Sequence, residues 1–151
     1  MSLYFLDSST LVKRYVTEVG TAWVQAVTSP QANHRLLITR ITWVEVLSAL
    51  ARRQREGTLS PENATRLVQA FRYDLDTQYQ VVELDRDVAE MAGELVRKHV
   101  LRAYDAVQLA ASLRVQAALT SPQVLFVSAD NRLVGTAQAE GLLTDNPHHH
   151  S

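Results

Sequence analysis

Short apolar runs alternate with longer amphipathic stretches along this chain, and most of the runs are closed by residues that begin helices. Tyr4 to Leu6 is one such run; Asp7-Ser8-Ser9-Thr10 follows with four residues suited to a helix N-cap, and Leu11 to Val16 then reads helical. A second helix is predicted over Thr21 to Val27, ended by Ser29-Pro30, and Leu36 to Thr39 is the next buried strand. A third helix is expected from Thr42 to Glu56, stopped by Gly57. Ser60-Pro61-Glu62 supplies an N-cap, a proline at the first helical position and an early acid, opening a long helix to Asp76.

The second half repeats the alternation. Tyr79 to Leu84 reads as a strand, Asp85 caps a helix through Lys98, and Arg102 to Leu119 forms a further, Ala-rich helix. Val124 to Val127 is the clearest buried strand, followed by a helix over Asn131 to Glu140, a Gly141 cap and an edge strand at Leu142-Leu143. Strands and helices in this order imply an α/β fold, a three-layer α/β/α arrangement with a mainly parallel central sheet. No internal repeat or interdomain linker interrupts it, so residues 1–146 are expected to form a single domain. Residues 147–151, with the run His148-His149-His150, have the character of a tag and are set aside, as is the Met1-Ser2-Leu3 start.

Composition narrows the class. With 151 residues, 46% of them hydrophobic and 21% charged, the chain is expected to be a soluble domain with a real core. No cysteine is present, which excludes disulfides and thiolate metal sites and fits a reducing cytoplasm. Neither a signal peptide nor a membrane span is legible, so a cytoplasmic location without membrane association is expected. The net charge of −1 argues against gripping nucleic acid by bulk electrostatics, although Lys13 and Lys98 are the only lysines and the other cations are arginines, which suit bidentate phosphate contact.

Four acids then carry the candidate chemistry. Asp7, Glu45, Asp105 and Asp130 each sit where a strand ends or a helix begins, and in a parallel α/β sheet ligands bind beyond the carboxyl ends of the strands. Carboxylates with no softer donor describe a hard-cation site for Mg²⁺ or Mn²⁺. Each acid also has a structural reading. Asp7 and Asp130 are plausible N-caps, Thr42 to Glu45 matches a capping box, and Asp105 suits a helix dipole. Yet Glu45 precedes the apolar run Val46 to Ala51, and Asp105 lies among Ala103, Ala106, Val107 and Leu109, where an unpartnered charge is costly. Carboxylates about 4 Å apart repel by roughly 4 kcal/mol at an effective dielectric near 20, so a protein that gathers them does so mainly to hold cations or tune protonation.

The segments Phe5-Leu6-Asp7-Ser8-Ser9, Glu45 with Ala49-Leu50, Leu101 to Ala110 and Phe126 to Asp130 together resemble a PIN-domain ribonuclease of the VapC toxin type, over nearly the whole chain. The resemblance implies a Mg²⁺- or Mn²⁺-dependent endoribonuclease acting on RNA, dimeric and inhibited by a cognate antitoxin protein. It makes Asp7, Glu45, Asp105 and Asp130 the acidic site, with Ser9 as a hydrogen-bonding neighbour and Asn131 as a possible contributor at the less regular fourth position. Arg52 stands seven residues beyond Glu45, on the same helix face, where it can meet a backbone phosphate or serve as a solvated surface charge.

Other chemistries fit less well. A haloacid-dehalogenase-like phosphatase wants a second Asp two residues after the first, where Ser9 stands, and a receiver domain wants an early acid pair and a late-strand lysine. Paired-histidine catalysis has no context around His34 or His99. The alternative from another class is a non-catalytic PIN-like module that binds protein or RNA.

Overall fold

The computed structural model describes residues 2–150, among which five strands and seven helices alternate. Strands β1 (Leu3–Leu6), β2 (Arg35–Thr39), β3 (Tyr79–Val82), β4 (Val124–Val127) and β5 (Leu143–Asp145) form one sheet in the order β3-β2-β1-β4-β5, and every pairing is parallel. The helices are α1 (Ser8–Tyr15), α2 (Thr21–Thr28), α3 (Arg40–Arg55), α4 (Pro61–Thr77), α5 (Arg86–Lys98), α6 (Ala103–Ala117) and α7 (Asn131–Ala139). None is long and apolar enough to cross a membrane.

Strand side chains alternate between the faces of the sheet, and this period of two divides the core into two halves. Leu3, Phe5, Leu37, Val124 and Phe126 face one way, where α5, α6 and α7 cover them with Val88, Leu95, Leu109 and Leu133. Leu6, Leu36, Ile38 and Val127 face the other way, against Leu11 of α1, Val46 and Leu50 of α3 and Phe71 of α4. Apolar residues on both faces of the strands are what a parallel sheet between two helical layers requires. Phe5 and Phe126, paired in register across β1 and β4, stack with ring centroids 5.9 Å apart.

The element boundaries differ from the sequence expectation mainly at helix starts. α1 begins at Ser8 rather than Leu11, with Asp7 as N-cap. α3 begins at Arg40 with Thr39 as N-cap, so Thr42 lies inside the helix and the Thr42–Glu45 capping box does not form. Thr42 instead meets the Thr39 hydroxyl at 3.0 Å, which releases the Glu45 carboxylate from backbone duty. β3 stops at Val82, two residues short of Leu84, because Asp85 takes over as the cap of α5 by accepting from the Val88 amide.

Packing continues past residue 146. Pro147 is buried, Pro147–His150 makes a 3-10 turn, and the His150 ring stacks on Trp23 of α2 at 4.3 Å between centroids. Gly20, the N-cap of α2 at φ +90°, permits this: a β-carbon there would lie 2.9 Å from both Cβ and O of Pro147. Gly57 has φ +79° but open space around it. Gly57→Ala should therefore cost about 1–2 kcal/mol for the left-handed conformation, and Gly20→Ala a further 1–3 kcal/mol or so for the clash. Urea unfolding of the two variants checks the difference; equal losses would mean that the close approach to Pro147 contributes nothing.

Candidate active site

The strand order reverses between β1 and β4, which opens a crevice at their carboxyl ends. Asp7 follows β1 directly and Asp130 stands three residues after β4, while Glu45 reaches the same place from α3 and Asp105 from the first turn of α6. All four acids line one cleft of about 510 Å³, together with Ser9, Arg52, Arg102 and Gln108.

Asp7 is nearly inaccessible, at 4% exposure. Its Oδ1 accepts from the Thr10 amide at 3.0 Å and the Ser9 hydroxyl at 2.7 Å, so it is the N-cap of α1 and a wall of the cleft at once. Burial raises its pKa from 3.8 to about 6, against the opposing pull of Ser128, Ser9 and Thr10. Ser9 also accepts from the Ala129 amide at 3.0 Å, which ties the start of α1 to the loop after β4. The Thr10 hydroxyl adds a bond to the Val127 carbonyl at 3.1 Å.

Glu45 Oε1 accepts from Ser8 Oγ at 2.5 Å and Gln108 Nε2 at 3.0 Å. Gln108 also reaches Ser8 Oγ at 3.0 Å and Thr42 Oγ1 at 2.9 Å, so one buried amide links α1, α3 and α6 behind the acids. Its own Oε1 is buried without a partner among the described residues. An amide NH₂ has two hydrogens for these three oxygens, so the Ser8 and Thr42 hydroxyls must orient to share them.

Asp105 is half-buried, and burial, with repulsion from Asp130 and Glu45, raises its pKa although Arg102 opposes the rise. Asp130 caps α7, its Oδ1 accepting from the Arg132 amide at 2.9 Å. Arg102 spans the pair, with Nε 3.4 Å from Asp105 Oδ2 and Nη2 3.6 Å from Asp130 Oδ2. Arg52 lines the cleft and makes no ion pair among the described residues. Asn131 lies outside this cleft: it borders an adjoining cavity, and its Oδ1 accepts from Asn146 Nδ2 at 2.9 Å.

The donor chemistry suits a hard divalent cation, since every candidate ligand is an oxygen and Asp130 and Glu45 add to the cost of ionising Asp105. Among the described residues no group of three or more His, Asp or Glu is drawn together tightly enough to hold an ion as the side chains stand. Ser9 and Thr10 engage one oxygen of Asp7, Ser8 and Gln108 one of Glu45, and Arg132 one of Asp130, so ligation draws on the other oxygen and on a modest approach of the side chains.

The four acids, Ser9 and Arg52, all legible in the sequence, line the cleft, whereas the supporting roles of Ser8, Arg102, Gln108 and Ser128 emerge only from the structure. Gln108 carried a usable signal: it is three residues past Asp105, polar among Ala106, Leu109, Ala110 and Ala111, all fully buried. The Arg102 contact with Asp105 follows helical i,i+3 spacing, but its contact with Asp130 does not.

The model of the PIN domain family matches residues 4–138. Two Mycobacterium tuberculosis proteins, Ribonuclease VapC45 and Ribonuclease VapC49, are each 32% identical over 141 residues, 93% of this chain and 93% of theirs. Among solved structures, FitAcB from Neisseria gonorrhoeae aligns with a TM-score of 0.69 at 13% identity, covering 97% of this chain and 99% of that one. VapC20 from M. tuberculosis, described as a Sarcin-Ricin loop cleaving toxin, aligns at 0.64 with 17% identity, covering 93% and 96%. The chain belongs to the PIN domain family, and these similarities cover the strands and helices that build the cleft.

Asp7 makes stability depend on pH. A carboxyl raised to about 6 in the fold holds its proton better there than in the unfolded chain, so its contribution is fully present below about 3.8 and is lost as pH rises through about 6. The loss amounts to roughly 3 kcal/mol. Asparagine keeps the capping oxygen without the charge. In EDTA, Asp7→Asn should therefore be the more stable protein at neutral pH and lose about that much less between pH 4 and 7; parallel denaturation curves at both pH values for wild type and variant would contradict this.

Proposed function

We propose that this chain is a divalent-metal-dependent endoribonuclease that hydrolyses RNA phosphodiester bonds and serves as the toxin of a toxin–antitoxin pair. The observation that carries the reading is the gathering of Asp7, Glu45, Asp105 and Asp130 in one cleft at the strand-order reversal. The ribonuclease names of its 32%-identical relatives support the substrate class. Structural neighbours described as toxin–antitoxin complexes, such as that from Klebsiella pneumoniae with a TM-score of 0.61 at 18% identity over 87% of this chain and 91% of that one, add an antitoxin protein as the expected partner. A homodimer and a cytoplasmic location complete the reading.

In this mechanism Asp7, Glu45, Asp105 and Asp130 would hold Mg²⁺ or Mn²⁺, which would supply charge neutralisation at the phosphate and a more acidic water. Glu45, fixed by Ser8 and Gln108, and Asp7, fixed by Ser9 and Thr10, form the rigid side of the cleft. Asp105 and Asp130 form the side whose carboxylate contact is an exposed arginine. Arg52, which lines the cleft without an ion pair among the described residues, is the expected contact for a backbone phosphate of the RNA. Attack by water needs no ribose 2′-hydroxyl, so the products carry 5′-phosphate and 3′-hydroxyl ends.

Asp105→Asn should leave the fold intact and lower RNA cleavage at least about 100-fold, and EDTA should abolish cleavage by wild type. Mass spectrometry of the fragments tests the chemistry at the same time. Undiminished cleavage by the folded variant, or 2′,3′-cyclic phosphate ends, would overturn the reading.

A further inference from the structure

Among the described residues Arg102 is the only lysine or arginine whose side chain forms an ion pair with Asp105 or Asp130, and it pairs with both. Its position is unusual for a structural ion pair. The side chain is 84% exposed, and its contacts of 3.4 and 3.6 Å exceed the 2.7–2.9 Å of a charge-assisted hydrogen bond. As the N-cap of α6 it makes no side-chain capping bond. A solvated pair of this length contributes little to stability, so a stronger cation displaces it readily. Burial and the neighbouring Asp130 raise the cost of ionising Asp105, and Arg102 is the charge that offsets it.

We propose that Arg102 is a built-in counter-ion that competes with the divalent cation for Asp105 and Asp130, and so sets the affinity of the site for metal. This rests on the metal-dependent reading above. Arg102 lies on the wall between the acidic cleft and an adjoining cavity of about 630 Å³ that Arg132 and Asn131 also line. Released from the acids, its guanidinium still lines that cavity together with Arg132, leaving two cations there for an anionic ligand. The residue thus neutralises the acids in the metal-free protein and becomes available to nucleic acid once metal is bound.

The test is calorimetric titration of the full chain with MnCl₂ at constant ionic strength, comparing wild type, Arg102→Gln, Arg102→Lys and Arg132→Gln. Arg102→Gln should tighten Mn²⁺ binding about two- to fivefold. Lysine, a point charge that cannot span both acids, should give an intermediate Kd. Arg132, a nearby cation with no side-chain contact to either acid, should change the Kd less than about twofold. Unchanged or weaker binding in both Arg102 variants, or equal tightening by Arg132→Gln, would overturn the inference, the second result assigning the effect to net charge alone. Wild type that binds no Mn²⁺ would instead remove the metal-dependent reading on which it stands.

Discussion

The parallel pairing of β1 with β4 is the constraint on which the rest of this molecule depends. It brings the two carboxyl ends together at the one place where the strand order turns back on itself, so the chain after β1 and the chain after β4 must leave side by side. Ser9 and Thr10 fasten those departures to each other through Ala129 and Val127. Asp7 is thereby buried under the junction, and its raised pKa follows from that burial. The stacked Phe5 and Phe126 beneath keep the register that makes the junction possible.

The two sides of the cleft are held by different physics. Asp7 and Glu45 sit in short, buried or half-buried hydrogen bonds with Ser8, Ser9, Thr10 and Gln108, in a low-dielectric setting where such bonds fix a side chain firmly. Asp105 and the Oδ2 of Asp130 meet a solvated guanidinium across long contacts, which hold them weakly, while Asp130 Oδ1 stays tied to the first amides of α7. A site built this way has a preorganised half and an adjustable half. Asp105 and Asp130, which form the adjustable half, also line the second cavity.

Capping and chemistry are not competing explanations for the acids. Asp7 and Asp130 are N-caps by geometry, each accepting backbone amides of its helix, and both still line the cleft. A carboxylate has two oxygens and about four acceptor directions, so one oxygen serves the helix while the other stays available. Glu45 differs: its capping box was legible as a pattern but did not form, because the helix began two residues earlier at Arg40.

Much of the fold was determined by sequence alone. The apolar runs at Leu36 to Thr39 and Val124 to Val127, and the caps at Ser60, Asp85 and Gly141, act through neighbouring backbone, so local pattern suffices to place them. The order of the acids along the chain was legible for the same reason, since each sits beside an element boundary. Only the tertiary structure decided that Asp7 is desolvated, that Gln108 joins three helices, that Asn131 turns to Asn146 instead of the cleft, and that Arg102 reaches Asp130. Each depends on residues far apart in sequence whose approach is set by strand order and helix packing, and no local periodicity encodes the distance between them.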